Sequence, residues 1–155
     1  MNGAFVHLAV NHIPVVAFPI CFLILLVGAL RKSNDLIQAG FIGLVLTALV
    51  GAVAWKSGGP AARTLFNTPG VVVPRDRVHE HGEAAEYGLI VGGILGVMGL
   101  FGGWLSRRPE GVPPAIVWLT ILGTLFASVT FGRVAHLGGL IRHPEIEFSA
   151  AQPPQ

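Results

Sequence analysis

The sequence predicts an all-α integral membrane protein, an up-down four-helix bundle of transmembrane helices forming one domain over residues 1–155. Three observations carry the prediction. The chain is 52% hydrophobic and 12% charged, with a mean hydropathy of +0.68, too apolar for an ordinary soluble domain. Phe5 to Leu30, Leu36 to Trp55, Tyr87 to Leu105 and Ala115 to Gly132 hold no formal charge. Runs of about twenty apolar residues cross a hydrocarbon core as helices. Two of the connections are short, Arg31 to Asp35 and Ser106 to Pro114, and short connections make antiparallel neighbours.

The first span, about 5–30, is too long for a signal-peptide core and lacks a basic start, so it reads as a mature helix. Pro14 and Pro19 free the carbonyls of Val10 and Val15 within it. The second span, about 36–55, is followed by a segment, 56–83, that reads as a loop lying over the bundle mouth as a partial lid. Its turn signals are Gly58-Gly59-Pro60, Thr68-Pro69-Gly70 and Pro74. The third span, about 84–105, carries Gly88, Gly92 and Gly96, with Gly99 and Gly103 on a related line. Such a stripe lets helix backbones approach closely. A second reading lays a flat porphyrin against it, and a third makes it the docking face for a partner subunit. The fourth span, about 115–137, holds Thr120, Thr124 and Ser128 at helical spacing, expected to bond to backbone or to a neighbouring helix. The tail after His143 reads as frayed.

Successive spans reverse direction, which defines two faces. Side B holds the short connections, with Trp104 and Trp118 at its interface. Side A holds the start of span one, the end of span two, the start of span three and the end of span four. Side A has six Lys/Arg and side B four. The side B loops are so short that their basic density near the span ends predicts side B as cytoplasmic. The sequence pI of about 9.2 therefore speaks to topology, and no basic run with interleaved aromatics suggests nucleic acid. No nucleophile–base pair, phosphate-cradling loop or nucleotide motif is present. Cys21, alone in mid-span, has no internal disulfide partner, and no Cys-x-x-Cys-His for covalent haem attachment occurs.

All six histidines, His7, His12, His79, His81, His136 and His143, fall on side A. Ionisable groups at membrane depth are costly and mark function, and imidazole is the commonest metal ligand. His12 lies about two turns inside span one beside Pro14 and is the most suggestive position. His7, five residues earlier, points about 140° away on a regular helix. His136 sits near the end of span four, with Arg133 one turn before it, able to pair with a haem propionate. His143 shares the face of His136 only if the helix outlasts Gly138-Gly139. In the segment His79-Glu80-His81-Gly82-Glu83, a helix would place His79, Glu83 and Glu86 on one face. Those glutamates also suit a helix N-terminus. With the span histidines, His79, His81 and Glu83 could form a mixed site for zinc, iron or copper.

His7-x4-His12-x-Pro14 and Gly138-Gly139-Leu140-Ile141-Arg142-His143 resemble the bacterial four-helix membrane proteins of the DUF2231 type over nearly the whole chain. The chain departs from the family pattern where His7 lacks a following Pro, where Arg142 replaces Tyr, and at Pro144-Glu145-Ile146. The resemblance carries over no catalytic residues. Its respiratory gene contexts and c-type cytochrome fusions imply electron transfer, and they imply a C-terminus, hence side A, outside the cytoplasm.

The reading that follows is a b-type cytochrome-like electron-transfer protein of the bacterial inner membrane, rather than a stand-alone enzyme. One or two bis-histidine haems lie near the periplasmic side A, with ligands drawn from His12, His81, His136 and then His7. Arg133, Arg77 or Arg142 would neutralise propionates, and a quinol or a c-type cytochrome is the redox partner. On this reading His12→Ala removes a haem. The alternatives are a non-haem copper, zinc or iron site on the same face, and a structural subunit of a respiratory complex or homo-oligomer.

Overall fold

A computed structural model of the chain describes residues 3–143. Five helices follow in order: α1 (Gly3–Val10), α2 (Ile13–Arg31), α3 (Asn34–Phe66), α4 (Arg75–Leu105) and α5 (Pro114–Leu140). The described residues contain no strand. Gly3–Arg31, α3, α4 and α5 are each long and apolar enough to cross a membrane, so the architecture is the all-α four-helix bundle that the sequence predicts. Around the bundle α2 packs on α3, α3 on α4, α4 on α5 and α5 on α2, while α1 packs on α3. The Pro144-Glu145-Ile146 departure and the tail read as frayed lie outside the described residues.

The first span is broken at Asn11 and His12. Pro14 has no N–H to give Val10, and its ring crowds the Val10 carbonyl, so α1 ends there and α2 starts again at Ile13. The backbone bridges the break with Asn11 N donating to His7 O at 2.9 Å and Val16 N to His12 O at 3.3 Å. Pro19, inside α2, is accommodated without a second break.

The reading of 56–83 as a loop needs correction. α3 continues through Gly58-Gly59-Pro60 to Phe66, and α4 begins at Arg75, so only residues 67–74 are non-helical. Two physical reasons override the turn signals. Ala61-Ala62-Arg63 are strong helix formers, and α1 supports the extension: a Cβ on Gly3 would lie 2.5 Å from that of Pro60. At 33 residues α3 is about 50 Å long, well beyond a hydrocarbon core of about 30 Å. The turn closes where Arg75 lies over the Phe66 ring, 4.9 Å from its centroid. Gly70 supplies the left-handed backbone at φ +76° that favours glycine.

The glycine stripe of α4 is filled from within the bundle. Phe18 of α2 and Phe131 of α5 pack with centroids 4.8 Å apart and their planes tilted by 35°. They do so over Gly92, where a Cβ would come within 3.4 Å of the Phe18 ring. Farther along, a Cβ on Gly96 would lie 2.6 Å from Ala48 Cβ, one on Gly99 2.7 Å from the Phe41 carbonyl oxygen, and one on Gly102 would overlap the Phe41 ring. Phe18 and Phe41 are fully buried. These contacts are helix packing, and they occupy the face that could otherwise receive a porphyrin or a docking partner. The hydroxyls of Thr120, Thr124 and Ser128 bond to the carbonyls of Ile116, Thr120 and Thr124 at 2.7–2.8 Å, satisfied within their own helix as expected. Leucine, isoleucine, valine and phenylalanine side chains instead crowd the outer surface, as contact with lipid requires.

Gly99→Ala is expected to destabilise the bundle by about 1–3 kcal/mol through overpacking, because the obstacle is backbone. Gly93→Ala, where nothing lies within 4 Å, is expected to be neutral or to stabilise by up to about 1 kcal/mol through helix propensity. Equilibrium unfolding in mixed micelles compares the two.

Candidate functional site

At the side A end, two of the six histidines meet. His7 of α1 and His81 of α4 come from non-adjacent spans, yet their ring centroids are 6.4 Å apart and their planes cross at 82°. Each ring is anchored on a third helix. His7 Nδ1 donates to the Ala54 carbonyl of α3 at 2.9 Å, and His81 Nδ1 donates to the Val134 carbonyl of α5 at 3.0 Å. A carbonyl only accepts, so Nδ1 carries the proton in both rings and Nε2 of the neutral imidazole keeps its lone pair. Neither Nε2 has a hydrogen-bond partner among the described residues. Both rings are only partly buried.

The anchoring repeats a local device. Ala54 lies four residues before Gly58, and Val134 four residues before Gly138. A helical side chain leans toward the N-terminus and covers the turn before it, so glycine at the fourth position uncovers the carbonyl for a second donor. The imidazoles use that space. A Cβ on Gly58 would lie 3.6 Å from His7 Cε1, and one on Gly138 would lie 3.0 Å from His81 Cε1 and 3.2 Å from its Nδ1. α5 ends at Leu140, directly after Gly138-Gly139 and before His143, so His143 does not continue the face of His136. Gly138 also makes room for the ring of His81. The buried Ser57 adds to the first anchor, its hydroxyl donating to the same Ala54 carbonyl at 2.9 Å.

The other candidates stand apart from this pair. His12 is exposed at the α1–α2 break, where its Nδ1 meets Asn11 Oδ1; the five-residue spacing from His7 turns it away. His79 is 77% exposed and pairs with Glu83 along α4 at 3.3 Å. His136 and Arg133 are exposed on α5, and His143 is exposed beyond its end. Arg77 faces Glu80 at 3.6 Å. Among the described residues no group of three or more His, Cys, Asp or Glu side chains could hold a metal ion. The mixed site of His79, His81, Glu83 and the span histidines is therefore not assembled. The sequence reading placed His7 last among the ligands, and the structure brings it to His81. Its signal was glycine four residues beyond an anchoring carbonyl, which cannot be recognised until the helix that carries the carbonyl is known.

No family model, curated protein or solved structure matches the chain. The functional reading therefore rests on the residues themselves.

The geometry predicts that ¹⁵N spectra of histidine-labelled protein show His7 and His81 in the Nδ1–H tautomer. Gly138→Ala is expected to displace the His81 ring, shifting its resonances while leaving those of His79 unmoved; unchanged His81 signals would contradict the packing described.

Proposed function

We propose that the protein is a membrane electron-transfer protein of the b-type cytochrome kind, holding one haem between His7 and His81. The observation that carries this reading is the paired imidazoles, each with Nδ1 fixed on a backbone carbonyl and Nε2 unbonded. Metal-binding histidines almost always donate their second nitrogen in this way, which sets tautomer and ring orientation. The spacing fits as well. Two imidazoles sharing one iron would have their centroids roughly 6 Å apart, twice the sum of a metal–nitrogen bond of about 2 Å and roughly 1 Å to the ring centre. The observed distance is 6.4 Å. Two protein ligands complete a porphyrin iron, whereas bare copper, zinc or iron wants three or four. That count favours haem over a non-haem site.

A haem held by these two imidazoles would supply a one-electron couple suited to electron transfer rather than oxygen chemistry. The carbonyls of Ala54 and Val134 keep the two rings oriented, and Ser57 steadies the first. Arg133 and Arg142, exposed at the same end, are among the cations that would pair with propionates. His12 and His136, exposed and away from the pair, are not assigned as ligands. A quinol or a c-type cytochrome would be the redox partner. The resemblance at both ends of the chain and the basic density of side B support a bacterial inner membrane with side A periplasmic.

Oxidised and dithionite-reduced spectra of the protein, purified in detergent from haem-replete cells, test this. A Soret band with split α and β bands on reduction is expected, lost in His7→Ala and in His81→Ala and retained in His12→Ala. A featureless spectrum overturns the reading, and stoichiometric copper, zinc or iron in its place returns the site to metal binding.

A further inference from the structure

The opposite end of the bundle carries a second feature, independent of the histidines. A hollow of about 230 Å³ opens on the outer surface between α3 and α4, lined by Gln38, Ile42, Leu46, Gly103, Trp104 and Arg107 among others. Its walls belong to the lipid-facing surface: Leu46 is 58% and Trp104 50% exposed. Gln38 lies about one turn inside α3, and its amide has no hydrogen-bond partner among the described residues. Arg107 follows the C-terminal end of α4, and its guanidinium likewise has no ion pair or ring contact among them. Neighbouring Arg108 is committed, 3.8 Å over the Trp104 ring. Asn34 Nδ2 donates to the Ser106 carbonyl at 2.9 Å, which fixes the start of α3 against the end of α4 and holds Gln38 and Arg107 at one mouth.

Gln38 is partly buried and Arg107 exposed at one mouth of the hollow, so a hydrogen-bond donor, a cation and apolar walls together suit an occupant that accepts hydrogen bonds, carries negative charge and continues as hydrocarbon. We infer that the α3–α4 hollow binds one anionic phospholipid. Its phosphate lies at Arg107, its ester carbonyl accepts from Gln38, and one acyl chain runs along Ile42 and Leu46. The volume is below the roughly 300–1,000 Å³ of pockets for compact drug-sized ligands, which suits a single chain. The charge is complementary: the side B connections hold Arg31, Lys32, Arg107 and Arg108 against Asp35 and Glu110.

Native mass spectrometry of the delipidated full chain, given equimolar phosphatidylglycerol and phosphatidylcholine, tests the inference. One retained phosphatidylglycerol is expected, preferred roughly fivefold, the scale of one basic residue against an anionic lipid. Arg107→Gln is expected to erase the preference. Gly103→Leu is expected to lower retention of both lipids. A Cβ at Gly103 meets only Phe41 Cβ at 4.0 Å, so the helix packing is left alone; an unaltered unfolding midpoint checks that this variant is folded. Equal retention of the two lipids by wild type, or an unchanged preference in Arg107→Gln, overturns the inference. So does a wild-type dimer that Gly103→Leu converts to monomer, because a second copy would then be the occupant.

Discussion

Lipid gives helices no hydrophobic reason to associate, since an acyl chain is as apolar as leucine. The bundle therefore depends on how closely its backbones can approach, and α4 sets that limit. Its glycines admit Phe131 and Phe18 toward side A, Ala48 in the middle, and Phe41 toward side B. One element thus presents flat surface to three neighbours, with large rings of α2, α3 and α5 supplying the volume that α4 gives up. The same economy explains why fully buried side chains are few and large ones face outward.

Polar groups follow from the same solvent. In the middle of α5 the hydroxyls return to their own helix, where lipid can offer them nothing. At side B, Asn34 ties α3 to α4. At side A the imidazoles do the equivalent work, each joining a span to its sequence neighbour: His7 joins the first span to α3, and His81 joins α4 to α5. The two halves of the chain thus repeat one contact: a histidine near the start of a span, a carbonyl in the later half of the next span, and a glycine four residues on. Anchoring through Nδ1 leaves the two Nε2 atoms as the unpartnered polar groups of the pair. That is why the proposed redox site lies there rather than along the glycine stripe.

Much of this was legible in the residues. Charge-free runs gave the spans, reversal of direction gathered all six histidines at one end, and side-chain chemistry predicted the fate of Thr120, Thr124 and Ser128. What misled was local punctuation taken without tertiary support. Gly58-Gly59-Pro60 signals a turn in isolation, yet α1 packs on it and the helix continues. Gly138-Gly139 signals a helix end, and α5 does stop at Leu140, yet the signal does not show that Gly138 also makes room for a ring. Pro14, beside which His12 looked most significant, breaks the helix and leaves His12 on the outside.

The sequence by itself determined the solvent, the number of spans and the face on which the imidazoles collect. Those follow from hydropathy and chain reversal, which are properties of each segment alone. Only the tertiary structure decided which two imidazoles meet. Ring placement depends on a carbonyl from another helix and on the glycine that uncovers it, and no spacing within one helix records that relation.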